Sequence, residues 1–307
     1  MSFPSTPYDT AEPFLRITRT DSDTPDDDRL TLVATGADGT PRGTASLRLF
    51  TDPGRRRIAA LRIEVDPAGR RRRIGTRLLD HALATARADG RRSVLAGADA
   101  GSPGAAFLAA RGFRAALTLL HSRLPLAEAD PATLARLVAE APPGYRLTSW
   151  SGTVPDALAA TFTAARRAMD DMPAEDADLG TPVWDEERVR AVARRVEERG
   201  DLLHTVAAVD VADGSIAGFT ELVLPGNKDG DGDGDGVNYG TGVLPEHRGR
   251  GLALWMKAAS IRHARSLTPR APGLVTDTAE TNHAMRRVNE RLGYRSTHRS
   301  LEFQLKL

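Results

Sequence analysis

The chain runs through one order of elements twice: strands, a helix, a strand, a second helix and a closing strand. In the first half LTLVA (30–34), GTASLRLF (43–50) and IAALRIEV (58–65) read as strands, with turns at GADGTP and TDPGRR. A helix is expected from near Arg71 to Gly90, carried by Ile74, Leu78, Ala82 and Ala86 at helical spacing. SVLAG (93–97) reads as a strand, AAFLAARG (105–112) as a helix closed by Gly112, and ALTLLHSRL (116–124) as the last strand. The second half opens with YRLTSW (145–150), a helix from Pro155 to about Met169, an acidic loop, and a helix from about Asp185 to Arg199. The earlier order then returns: strands at 203–210, 215–224 and 237–244, a helix from Gly249 to about Ser266, a strand at 273–278, a helix at 283–292 closed by Gly293, and a strand at 296–305. A repeat of this length is a duplicated domain, because solenoid repeats run only about 20–50 residues.

The expected fold class is α/β (α+β). Residues 1–126 form an N-terminal domain, 127–144 a linker with a polar helix near Pro131–Ala141, and 145–307 a C-terminal domain. The length of 307 residues agrees with two domains of roughly 150 residues each. The first copy lacks the two helices that follow the opening strand of the second.

Composition excludes several classes. With 42 basic and 41 acidic residues the net charge is +1, so no global field draws the chain to nucleic acid or an anionic membrane. No run approaches the roughly 18 apolar residues of a membrane span, and MSFPSTPYDT lacks the order of a signal peptide, so a cytoplasmic location is expected. The absence of cysteine excludes disulfides, a thiol nucleophile and thiolate metal sites. In DGDGDGDG (229–236), Asp229, Asp231, Asp233 and Gly234 imitate the start of a calcium loop, yet Gly240 stands where the closing Glu belongs. A hairpin loop is expected there, and no metal.

The chemistry sits in VNYGTGVLPEHRGRGLALWMKAA (237–259), a strand, a glycine-rich turn and an immediate helix. Such a turn aims several backbone N–H groups at one place, at the positive end of a helix dipole, and suits phosphate. Gly249 and Gly251 let the main chain approach an anion, and Arg248 and Arg250 add charge at the rim. A dinucleotide fingerprint would need a third glycine and an acid about 20 residues on; a Walker loop would need G-K-[ST]. Neither is present.

This segment resembles the GNAT family of acetyl-CoA-dependent N-acetyltransferases. Its phosphate signature is Arg or Gln, two residues, Gly, one residue, then Gly or Ala, and Arg248–Gly249–Arg250–Gly251–Leu252–Ala253 matches throughout. TDTAETNHAMRRVNERLGY (276–294) resembles the family's fifth strand and its Asn-started helix ending in Gly-Tyr. The resemblance is strong over 203–307, and it makes the helices at 155–199 an acceptor-binding wall. More weakly, VDPAGRRRRIGTRLL (65–79) has the strand, turn and helix with Arg70 and Gly75 in register, but Arg73 stands at the first glycine. GSPGAAFLAARGF (101–113) keeps the Gly-Phe ending without the Asn. The whole is similar to a tandem GNAT arrangement, best known from mycothiol synthase. Each domain is then a mixed, mostly antiparallel sheet flanked by helices, the second catalytic and the first degenerate.

The resemblance implies an acyltransferase (EC 2.3.1) moving an acetyl group directly from acetyl-CoA to a primary amine of a small acceptor. Gly242, Val243 and Leu244 would splay from the neighbouring strand and pair with the pantetheine arm, with one N–H polarising the carbonyl. Cofactor contacts fall on Val243, Leu244, Arg248, Gly249, Arg250, Gly251, Leu252, Ala253, Asn282 and Asn289. Glu221 is the candidate general base, its other reading being a solvated carboxylate. The family's usual Tyr acid is replaced by Asn289, which can hydrogen-bond the sulfur or pantetheine but cannot donate a proton as an acid. Its first-copy equivalent is Leu108. Asn282 is an N-cap and, by family precedent, a cofactor contact.

His247 reads as rim or turn; His81, His121, His204, His263, His283 and His298 show no ligand spacing and are expected on surfaces. Trp255 is expected in the core. The arginines at 55–57 and 70–73 do not outweigh the near-neutral chain as a nucleic-acid signal. The acidic loop 170–187 would attract a cationic acceptor, through Asp170, Asp171 and Asp176. The alternative reading is a non-catalytic acetyl-CoA-binding sensor or scaffold.

Overall fold

The computed structural model describes residues 14–20, 27–170, 174–226, 234–268 and 271–307. In chain order the first half carries β1 (Phe14–Thr20), β2 (Asp27–Thr35), β3 (Pro41–Phe50), β4 (Ile58–Val65), α1 (Ile74–Ala88), β5 (Ser93–Asp99), α2 (Pro103–Ala110) and β6 (Arg114–Pro125). There follow α3 (Pro131–Ala139), β7 (Tyr145–Ser151), α4 (Asp156–Ala165), a 3-10 turn (Arg166–Met169) and α5 (Glu186–Glu198). The second half continues with β8 (Leu202–Asp210), β9 (Ile216–Leu224), β10 (Gly236–Val243), α6 (Leu252–Leu267), β11 (Gly273–Ala279), α7 (His283–Arg291) and β12 (Arg295–Lys306). The sequence reading missed β1. Six residues separate β1 from β2, against 50 between β7 and β8, so the first copy lacks the pair of helices as expected.

Two compact units result. Unit 1 comprises Met1–Ala116, Ala177–Val183 and Glu302–Leu307; unit 2 comprises Leu117–Asp176 and Trp184–Leu301. The closing strand of each half therefore passes into the other unit. In unit 1 the strand order is β1-β2-β3-β4-β5 and then the end of β12 from Glu302 on, with β4 and β5 parallel. Its last strand is anchored by Leu307 N–H donating to the Arg92 carbonyl at 2.9 Å. In unit 2 the order is β6-β11-β10-β9-β8-β7, and β6 pairs antiparallel with β11 from Gly273↔Pro125 to Ala279↔Leu119.

Apolar periodicity explains the packing. In α1 the buried residues are Ile74, Leu78, Leu79, Ala82, Leu83 and Ala86, one stripe at helical spacing against β3 and β4. In unit 2, Leu222 and Leu224 of the sheet pack against Leu254, Ala258 and Ile261 of α6 and Leu134 of α3. A second cluster joins Trp150, Phe162 and Phe219 beneath α4, with edge-to-face rings 5.0 and 5.2 Å apart. Trp255 is buried as expected, and its indole N–H donates to the Val138 carbonyl at 2.9 Å.

Candidate active site

In unit 2, β10 pairs with β11 at Gly236↔Leu274 and Val237↔Val275, and no pairing continues from Asn238 onward. Against β9 the register shifts between Asn238 and Gly240, so Tyr239 is an extra residue and forms a β-bulge at the mouth of the fork. After β10 the chain turns through Pro245–His247 and Arg248–Gly251 into α6. Gly249 and Gly251 hold φ of 74° and 80°, the left-handed region that glycine enters freely. Gly251 is the N-cap of α6 and supplies no side-chain cap, so the first N–H groups of the helix remain available to an anion.

The expected cofactor residues divide by role. Arg248 folds back, its Nε donating to the Val243 carbonyl at 2.9 Å, while the Leu244 N–H donates to the Ala217 carbonyl. Arg250 donates to the Tyr145 hydroxyl at 2.7 Å, and that hydroxyl lies 2.8 Å from Nδ1 of His247. Leu252 is buried and Ala253 is half-buried. Asn282 caps α7, its side-chain oxygen accepting from the Met285 N–H at 3.1 Å. Asn289 is buried, donates to Thr278 Oγ1 at 3.3 Å, and leaves Oδ1 buried without a partner among the described residues. An orphaned acceptor of this kind fits an N–H or S–H donor from a pantetheine arm.

Glu221 departs from both of its expected readings. It is 1% exposed, and both oxygens accept from Arg166, at 2.6 and 2.7 Å. The guanidinium lies 4.4–4.9 Å from the ring centroids of Phe162, Trp184 and Phe219. A carboxylate held bidentate by a guanidinium has both oxygens already engaged in charge-assisted hydrogen bonds. Glu221 is therefore neither a solvated surface group nor a free base. Sequence reading could not find Arg166, because nothing distinguishes it among the arginines around it.

The first-copy turn has the same backbone. Arg71 and Arg73 hold φ of 63° and 60°, where the second copy has Gly249 and Gly251. Arg70 Nε donates to the Val65 carbonyl at 3.3 Å, as Arg248 does to Val243. Arg73 likewise N-caps α1 without a side-chain hydrogen bond. A cavity of about 1040 Å³ opens beside this turn, lined by the ends of β4 and β5, Arg70, Arg71, Arg73 and, from α2, Phe107 and Leu108. However, β3 and β4 pair without interruption from Gly43↔Val65 to Leu49↔Ala59, so β4 has no bulge against β3.

A strand fork, a bare helix N-terminus and an Arg-x-x-Gly turn occur together in one copy, and the turn geometry recurs in the other. Two family models match: the acetyltransferase (GNAT) family over residues 2–113 and the acetyltransferase (GNAT) domain over residues 153–295. The chain is a tandem member of the GNAT family. A tandem GNAT protein from the clavulanic acid biosynthesis pathway is 26% identical with a TM-score of 0.74, covering 92% of this chain and 84% of that one. A GCN5-related N-acetyltransferase from Sphaerobacter thermophilus is 18% identical with a TM-score of 0.64, covering 90% and 80%. No curated protein matches.

Other expectations are corrected or refined around the GNAT cores. His204 is buried, not superficial, with Nδ1 3.1 Å from Ser151 Oγ and Nε2 2.8 Å from His263 Nδ1. Desolvation lowers its pKa to about 4 and also lowers that of His263. His121 and His298 stack with centroids 4.2 Å apart. In the acidic loop, Asp178 pairs with Arg57 at 2.6 Å and Asp185 caps α5, while Asp170 and Asp176 are exposed. Asp171, Asp229, Asp231 and Asp233 lie outside the described residues; Asp235 pairs with Arg123. Among the described residues no cluster of three or more His, Asp or Glu could hold a metal, and no helix is long and apolar enough to cross a membrane.

Proposed function

We propose that the protein is an acetyl-CoA-dependent N-acetyltransferase that transfers acetyl directly to a primary amine of a small acceptor, and that transfer takes place in the second copy. The observation that carries this reading is the β10 bulge, which lies at the mouth of the fork and ahead of the glycine turn. The turn and the bare end of α6 would bind the cofactor's diphosphate, and the fork would take its arm. A bulge N–H would donate to the thioester oxygen as negative charge develops, an effect worth about 10²–10³ in rate for a single donor. The amine nitrogen bonds the acyl carbon, the C–S bond breaks, and the nitrogen's proton passes to water, since Glu221 is engaged by Arg166. Asn289 would hydrogen-bond the arm or the departing sulfur without protonating it. A cationic acceptor is the class the exposed Asp170 and Asp176 would favour.

A second reading is favoured by the unit 1 cavity: the first copy also binds the cofactor, without a bulge to activate it. Calorimetric titration with acetyl-CoA, on the wild type and Gly251→Asp, tests both readings. One site abolished by the substitution supports the second copy alone; two sites, one surviving, support the second reading. No binding overturns the acetyltransferase assignment. Thiol release with a panel of amines separates the enzyme from a non-catalytic sensor.

A further inference from the structure

Lys257 is one of three lysines in the chain and is 2% exposed, in the apolar run of α6. Counting from the turn, the first copy has Leu79 at this place. Nζ of Lys257 donates to Oδ1 of Asn238, the first residue of β10 beyond the paired part of the fork, and lies 5.2 Å from the Tyr294 ring centroid. Nδ2 of Asn238 donates to the Glu221 backbone carbonyl at 2.7 Å, directly opposite the register shift. Thr220 Oγ1 completes the knot, 2.7 Å from Thr241 Oγ1 and 3.4 Å from the Gly240 carbonyl it donates to.

A bulge leaves ladder groups without their regular partners, and a buried carbonyl must find another donor. Here a side-chain amide supplies it, and that amide is itself held by a buried amine. The first copy has Ala60 at the place of Asn238, or Leu61 once the extra bulge residue is allowed for, and Leu79 at the place of Lys257. Neither can hold such a bond, and that copy's strand runs without a bulge.

We propose that Lys257 and Asn238 are positioning residues that clamp the β10 bulge and thereby aim its N–H at the reacting carbonyl. The clamp rests on the acetyl-transfer reading for its consequence in rate, though not for its existence. Burial lowers Lys257 to a pKa of about 7, and both its charged and its neutral form can donate to Asn238.

The test uses Lys257→Met, which keeps length and removes the donor, together with Asn238→Ala and the double variant. Misaiming an oxyanion donor should lower kcat at least about 10-fold while Kd for acetyl-CoA stays within about 2-fold, because the phosphate turn is untouched. The double variant should be no worse than the more severe single one. Amide hydrogen exchange along β10 should accelerate at Tyr239–Thr241 in both single variants, a readout that requires no turnover. An unchanged kcat, or unchanged exchange at the bulge, would overturn the clamp; so would parallel losses of kcat and cofactor binding. If the wild type binds acetyl-CoA but acetylates no amine, the transfer reading fails and the exchange data still decide the clamp.

Discussion

Arg166 and Glu221, 55 residues apart in sequence, form a bidentate ion pair at 2.6 and 2.7 Å between the 3-10 turn after α4 and the sheet, almost wholly shielded from water. Glu221 stands opposite Gly240, next to the bulge, and three aromatic rings surround the cation of the pair. Its geometry engages both carboxylate oxygens and ties β9 to the segment that follows α4.

Breaking this pair should be costly. Glu221→Gln leaves the guanidinium buried without a counter-charge, an effect of about 3–5 kcal/mol, whereas Arg166→Met/Glu221→Leu together should recover most of that. Urea denaturation of the three proteins measures it. In the folded fraction of Glu221→Gln the pH profile of kcat should keep its shape; loss of the acidic limb would restore Glu221 as the base.

Acid should weaken unit 2 through His204. Its pKa is lowered from 6.5 to about 4, so between these values the unfolded chain binds more protons than the folded one. Stability is therefore complete above about pH 6.5 and falls as pH drops toward 4, at a slope of at most about 1.4 kcal/mol per pH unit for one proton. Replacing His204 with Gln should flatten the pH dependence of unfolding free energy over that interval. An unchanged slope would show that other groups carry it.

The two turns should respond oppositely to exchange of their residues. Arg73→Gly relieves a left-handed arginine and should leave stability unchanged or raise it by up to about 1 kcal/mol. A Cβ at Gly251 meets no atom within 4 Å, so Gly251→Ala costs only backbone strain, about 1 kcal/mol. Thermal unfolding of the two variants checks the signs.

Asn282→Ala should cost about 1 kcal/mol through loss of the α7 cap. If its side chain serves α7 alone, as the 3.1 Å bond to Met285 indicates, acetyl-CoA affinity should change less than about 2-fold. A larger loss by calorimetry would give Asn282 a cofactor contact as well.

Local features were legible in the sequence. Helical spacing in α1, turn glycines before α6 and glycines closing α2 and α7 depend only on neighbours a few residues away, so each could be read directly. The Asn282 cap was legible for the same reason. Even the clamp left a trace, a lone lysine inside Leu-Ala-Leu-Trp-Met-Lys-Ala-Ala, although its partner could not be named from sequence.

What only the tertiary structure decided are contacts between distant segments. Strand pairing joins β6 to β11 across some 150 residues, and no local propensity specifies which sheet a closing strand completes. The bulge depends on register between two strands, Glu221 on an arginine three elements earlier, and the burial of His204 on α6 packing over it. The left-handed arginines at 71 and 73 show the same rule from the other side. The resemblance assigns that turn to degeneracy because Arg73 stands at the family's first glycine, and the surrounding fold holds the turn's shape all the same.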